Sequence, residues 1–179
     1  RVGLPVPAGF AISTYAYKLF LDHNHLAARL TELLGHWRLD DLDSLARVSE
    51  ELKQIILAAQ VPLALEAAIT EAYERLAARE GRRPLVAMRS SAVGEDLTLT
   101  FAGQYATYLN VAPESLISRY KDILASLFTP RALFYYKNKG VKEEEMAMGV
   151  VVMPMIQARA SGVLFTRQPD TADQEAAFI

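Results

Sequence analysis

The chain has 179 residues, 51% hydrophobic and 22% charged, with a formal charge of -2 and a pI near 6.0. That length is enough to bury a sizeable core, and so weak a net charge gives no long-range field for nucleic acid or an anionic membrane surface. Zero cysteines exclude disulfides and thiolate metal sites, the three histidines (His23, His25, His36) show no ligand spacing, and the apolar stretch 146–158 falls short of the roughly 20 residues that span a bilayer. The cytoplasm is the default compartment.

In residues 2–12, Pro5, Pro7 and Gly9 stand between apolar residues, which predicts an extended entry segment closing in a short strand. Ser13 or Thr14 then caps a helix whose apolar members include Tyr15, Leu19, Leu26, Leu30, Leu33 and Leu34. His23 and His25 fall on or near its solvated face, as structural residues rather than catalytic ones. Asp40, Asp41 and Asp43 place negative charge where a helix N-terminus favours it, and Leu42, Leu45, Val48, Leu52, Ile55 and Ile56 follow at helical spacing. Pro62 fits the first turn of the next helix, with a stripe of Leu65, Ile69, Ala72 and Leu76, and Gly81 ends it. Residues 14–80 therefore read as a mainly helical subdomain, bounded by the turn at Arg82-Arg83-Pro84; residues 84–179 read as a mixed α/β part.

Beyond that turn the texture changes. Leu85 to Met88 predicts a short buried strand that ends in Arg89, and residues 104–111 predict a second, with a polar connection containing Gly94, Glu95 and Asp96 between them. Residues 113–127 carry a helical stripe, and Thr129-Pro130 is a capped start for another helix, in which Tyr135 and Tyr136 pack. Finally, 146–156 and 162–166 are strand-like runs joined by a short turn, the first of them breaking or reaching a sheet edge near Met153-Pro154-Met155 because Pro154 cannot donate to a ladder.

The segment 85–110 carries the chemistry. Arg89 offers a planar fork of five donors to phosphate oxygens, Ser90 and Ser91 add hydroxyls, and Gly103 lets backbone N–H groups approach an anion. A break at Pro154 leaves backbone groups free, and a slot lined by methionines and valines suits an adenine ring; a β-bulge in a core strand is the plainer reading of the same residues. For Arg89 the plainer reading is a salt bridge with Glu95 or Asp96. Neither G-x-x-x-x-G-K-[ST] nor G-x-G-x-x-G is present, so no P-loop or Rossmann site is indicated.

The blocks MRSSAVGEDLTLTFAGQYATYLNV, LFTPRALFYYKNKG, VVVMPMI and ASGVLFTRQP, opened by VPAGFAIST, resemble the nucleotide-binding domain shared by phosphoenolpyruvate synthase, pyruvate phosphate dikinase and rifampicin phosphotransferase. The resemblance implies an α+β, ATP-grasp-like lobe with a helical subdomain. It also implies a phosphotransferase that passes a phosphoryl group from ATP to a histidine on a separate domain, with pyruvate to phosphoenolpyruvate as the leading reaction. Carried over, Arg89 holds ATP phosphates as the catalytic residue, Gly103 and Gln104 form the phosphate-covering loop, Thr107 touches the nucleotide, and Met153 and Met155 line the adenine hinge.

Two departures stand out. The position of Met153 is often glutamine in that family, and the link from RSSA to FAGQ is slightly short. The family's lysine in a glycine-rich segment belongs before VPAGF, and the acidic Mg2+ ligands, the phosphohistidine domain and the acceptor domain belong after Ile179. No metal ligand is assigned within 1–179. The start at Arg1 and the polar, turn-like end suggest a piece of a longer protein, inactive alone, with a homodimer through exposed apolar surface as a further expectation. A rifampicin phosphotransferase-like dikinase acting on a small molecule, and a non-catalytic interaction or regulatory module, are the alternatives.

Overall fold

In the computed structural model the described residues are 6–35, 37, 41–93, 105–138, 140, 146–160 and 162. Strand β1 (Phe10–Ile12) follows the expected extended entry. Helices α1 (Thr14–His23), α2 (Ala27–Gly35), α3 (Leu42–Ala58) and α4 (Leu63–Glu80) come next, then strands β2 (Val86–Ala92) and β3 (Thr107–Val111). Helices α5 (Leu116–Ala125) and α6 (Pro130–Asn138) lead to β4 (Met148–Pro154). The architecture is α+β, as expected from the resemblance.

The single helix expected from residue 14 to 34 is two. Asn24 breaks it: its Nδ2 donates to the carbonyls of Phe20 and Gln60, both at 2.8 Å, and its Oδ1 accepts from the Gln60 N–H at 3.0 Å. His25 then takes a left-handed φ of 54°. The buried face of α1 is Ala16, Tyr17 and Phe20, whereas Tyr15 and Leu19 of the expected stripe are 65% and 39% exposed.

Helix α3 starts as its charges suggest. The Asp41 carboxylate accepts from the Ser44 N–H at 2.9 Å, satisfying one of the free donors of the first turn, and Leu45, Val48, Leu52 and Ile56 are buried. Pro62 stands at the N-cap position of α4, one residue ahead of the first turn. Gly81, at φ 65°, closes the helix by donating to the Ala77 carbonyl. The buried stripe of α4 includes Tyr73, whose hydroxyl donates to the Pro84 carbonyl at 2.9 Å.

The stretch expected as one helix over 113–127 is a 3-10 turn at Pro113–Ser115, then α5, then a second 3-10 turn at Ser126–Phe128. Thr129 caps α6 as expected, its Oγ1 accepting from the Ala132 N–H at 3.3 Å. Residues 163–166, expected to form the second strand of a terminal pair, lie outside the described residues.

The four strands form one antiparallel sheet in the order β1-β4-β2-β3. Its inner face, with Ile12, Val86, Met88, Val111, Val150 and Val152, is buried under the helices. A single cluster of buried residues runs from Phe20 and Leu52 through Tyr73 to Met88, Ile123, Leu133 and Val152. The helices of residues 14–80 and the strand-bearing part thus share a core. Among the described residues no single helix is long and apolar enough to cross a membrane.

Candidate nucleotide site on the outer face of the sheet

The strand carrying Arg89 does not end there. β2 continues through Ser90, Ser91 and Ala92, because neighbours on both sides satisfy its backbone. Arg89 pairs with Thr107 of β3 and with Val151 of β4, and Ser91 pairs with Gly149. Residues directly opposite in an antiparallel sheet put their side chains on the same face. Since Ala11 pairs with Val151, one transverse row crosses all four strands: Ala11, Val151, Arg89, Thr107.

That row lies on the outer face. Arg89, Ser91 and Thr107 are exposed and Val151 is half-buried, whereas the alternating positions Met88, Val150 and Val152 are buried in the core. The same alternation separates the two serines proposed as phosphate donors. Ser91 shares the face of Arg89; Ser90, paired with the buried Val150, points to the other side.

One step along the sheet, Met153 pairs with Ala87. Ala87 is buried yet stands outside the core cluster, so it packs with its neighbours on the outer face. Met153 and Met155 are both half-buried and continue the alternation of β4. The structure therefore brings Arg89, Thr107 and Met153 together on one face, with an apolar patch of Ala87, Val151 and Met153 beside the guanidinium and the two hydroxyls. Gly103 and Gln104, and Glu95 and Asp96 as salt-bridge partners for Arg89, lie outside the described residues.

One expectation about β4 holds and one is corrected. The strand breaks where expected, with Pro154 as its last residue, although it is central, flanked by β1 and β2, and not at a sheet edge. The N–H that follows is not free, because Met155 donates to the Leu85 carbonyl at 2.8 Å.

Arg89 has no hydrogen-bond or ion-pair partner among the described residues. It is an exposed cation beside the Thr107 and Ser91 hydroxyls, and this donor set fits phosphate oxygens. The apolar patch fits the flat face of a base. Two concavities lie elsewhere, one of about 530 Å³ between α1 and α2 and another of about 710 Å³ beside the α3–α4 connection, and neither is lined by these residues. At this face the described residues form an open wall, not a closed pocket. Nor do they contain a cluster of three or more His, Asp or Glu side chains fit to hold a metal ion.

Sequence reasoning named Arg89, Thr107 and Met153 but missed Ser91 as distinct from Ser90, as well as Ala87 and Val151. A strict two-residue alternation carried from Met88 to Ser91 was the available signal. The cross-strand register that aligns Arg89 with Thr107 is a non-local fact.

Comparison with known proteins gives the family. The family model described as pyruvate phosphate dikinase, AMP/ATP-binding domain, matches residues 1–179. The chain is 39% identical over 184 residues to a protein of Staphylothermus marinus named Probable phosphoenolpyruvate synthase, with all of this chain and 22% of that protein covered. It is 36% identical to the phosphoenolpyruvate synthase of Neisseria meningitidis serogroup B, covering 99% of this chain and 23% of the relative. To a rifampicin phosphotransferase from Streptomyces it is 38% identical, covering 99% and 20%. The chain thus spans about a fifth to a quarter of the length of these curated relatives. With residues 1–179 matched throughout, the chain belongs to the pyruvate phosphate dikinase AMP/ATP-binding domain family.

Proposed function

We propose that the full-length protein uses ATP to phosphorylate a histidine on a separate domain and passes that group to pyruvate, as a phosphoenolpyruvate synthase. The observation that carries this reading is the Arg89–Thr107 pair beside the apolar patch of Ala87, Val151 and Met153. Arg89 binds and orients phosphate oxygens, neutralising charge that phosphoryl transfer concentrates there, while the Thr107 hydroxyl fixes the nucleotide along the row. Met153 and Met155 hold the adenine by apolar contact, so the base is not read by the amide that a glutamine would supply. Gly103 and Gln104 cover the phosphates.

Mg2+ supplies further charge neutralisation when ATP is bound, its ligands coming from beyond residues 1–179. The chain alone is inactive, the compartment is the cytoplasm, and exposed apolar residues such as Leu109, 55% exposed, favour a homodimer. The residues 14–80 and 84–179 serve as a helical subdomain and a nucleotide-bearing part. A second acceptor class has support in the likeness to rifampicin phosphotransferases, which points to a small hydroxyl compound in place of pyruvate.

The test is to incubate the full-length protein with Mg2+ and ATP labelled in its β and γ phosphates. Acid-labile, alkali-stable label on the protein supports the phosphohistidine route, and discharge by pyruvate rather than by rifampicin selects the acceptor. Absence of any acid-labile label contradicts the route and favours an interaction module.

A further inference from the structure

The entry segment approaches the proposed adenine contact closely. Gly9 immediately precedes the pair Phe10–Val152, so it stands opposite Met153 on the outer face. A Cβ built on Gly9 would lie 2.6 Å from the Val152 carbonyl oxygen and 3.1 Å from Met153 Cγ. The first approach is to backbone of a central strand, which cannot give way locally. The second is to the side chain proposed to carry the base.

We infer that Gly9 is a positioning residue for nucleotide recognition: its missing side chain lets the entry segment lie against β4 and leaves Met153 in the place where it contacts the base. This inference rests on the adenine role of Met153. Gly9 does not touch the reacting atoms; it acts through Met153 and through the spacing of β1 and β4. Its φ lies outside the left-handed region, so the requirement for glycine here is close approach rather than backbone conformation.

Any larger residue must push β1 away from β4 or turn Met153 out of its place, by a few tenths of an ångström or more. Loss of one apolar side-chain contact of this kind weakens binding by about tenfold. Because the displaced group faces the base and not the phosphates, the loss falls on nucleotide affinity and spares the affinity for a triphosphate that carries no base.

The experiment is calorimetric titration of the full-length protein with Mg-ATP and with Mg-tripolyphosphate, which has no base, for the wild type, Gly9→Ala, Met153→Ala and Gly35→Ala. Gly35 is the control, since a Cβ there meets nothing within 4 Å. The expected result is a preference for ATP over tripolyphosphate that falls by about tenfold in Gly9→Ala and in Met153→Ala and is unchanged in Gly35→Ala. A merely structural role for Gly9 would lower the folded fraction without altering the ratio of affinities. If Met153→Ala changes the ratio and Gly9→Ala does not, the inference is wrong while the adenine reading stands. If Met153→Ala leaves the ratio unchanged, the adenine reading fails and the inference with it.

Hydrogen exchange of the unaltered protein decides the matter should Gly9→Ala not fold. ATP is expected to slow exchange in residues 8–12 together with residues 150–155. Protection confined to 150–155 would overturn the coupling.

Discussion

Ser49 joins the two halves of the chain through one buried bond. It is 2% exposed on α3, and its Oγ donates to the Phe128 carbonyl at 2.5 Å, a sequence separation of 79 residues. Phe128 is itself 1% exposed, so in Ser49→Ala that carbonyl loses its partner without gaining water. Leaving a buried acceptor unsatisfied costs about 1–3 kcal/mol, while the lost volume is a single oxygen and adds little. For a domain of this length each kcal/mol lowers the midpoint by roughly 2–4 °C, so Ser49→Ala is expected to melt roughly 2–12 °C below the wild type. Thermal and urea unfolding followed by far-UV circular dichroism and by fluorescence of Trp37 give the measurement. Because the buried cluster runs through both halves, the two probes should report one transition, displaced as a whole. A midpoint within about 1 °C of the wild type would refute the assigned cost, and two transitions of which only one moves would refute the shared core.

The tyrosines give a prediction of pH dependence. Burial, reinforced by neighbouring tyrosines, pushes the Tyr17 hydroxyl well above its ordinary range, and burial alone does so for Tyr120, whose hydroxyl has no hydrogen-bond partner among the described residues. The folded state therefore holds protons that the unfolded state releases above roughly pH 10, so stability is intact below that pH and declines as pH rises through it. Ultraviolet titration should show Tyr17 and Tyr120 ionising only with unfolding, and Tyr120→Phe should be neutral or stabilising at pH 7; early ionisation of either would contradict their burial. At the end of α4, Gly81→Ala places a Cβ on a left-handed backbone and should destabilise by about 1–2 kcal/mol in urea titration, with no change in nucleotide binding.

The legible parts of the fold were those in which local signals and tertiary packing agree. Asp41 and Gly81 mark the start of α3 and the end of α4 because capping is a short-range matter, and the stripe from Leu45 to Ile56 has the helical period. The break between α1 and α2 was not legible, since Asn24 is held there by Gln60, 36 residues away. Arg89 read as a strand end because polar residues follow an apolar run; in the structure the outer face of β2 is uncovered by the helices, and polar residues continue the strand there. The candidate site was legible as residue types through Arg89, Thr107 and Met153. Their alignment depends on pairing between strands 18 and 62 residues apart, counted from Arg89 to Thr107 and to Val151, and no local pattern encodes that register.

The central claim is that phosphate binding depends on Arg89. Titration of the full-length protein and of Arg89→Ala with Mg-ATP, each with its thermal midpoint, tests it most directly. The Arg89 side chain is exposed and bonds to no described residue, so the variant, which keeps the backbone pairing of β2, should melt with the wild type. Loss of a charge-assisted contact of about 1.5–3 kcal/mol should nonetheless weaken ATP binding roughly 10- to 150-fold. An unchanged affinity in a folded variant would contradict the account and remove the phosphate site from this face of the sheet.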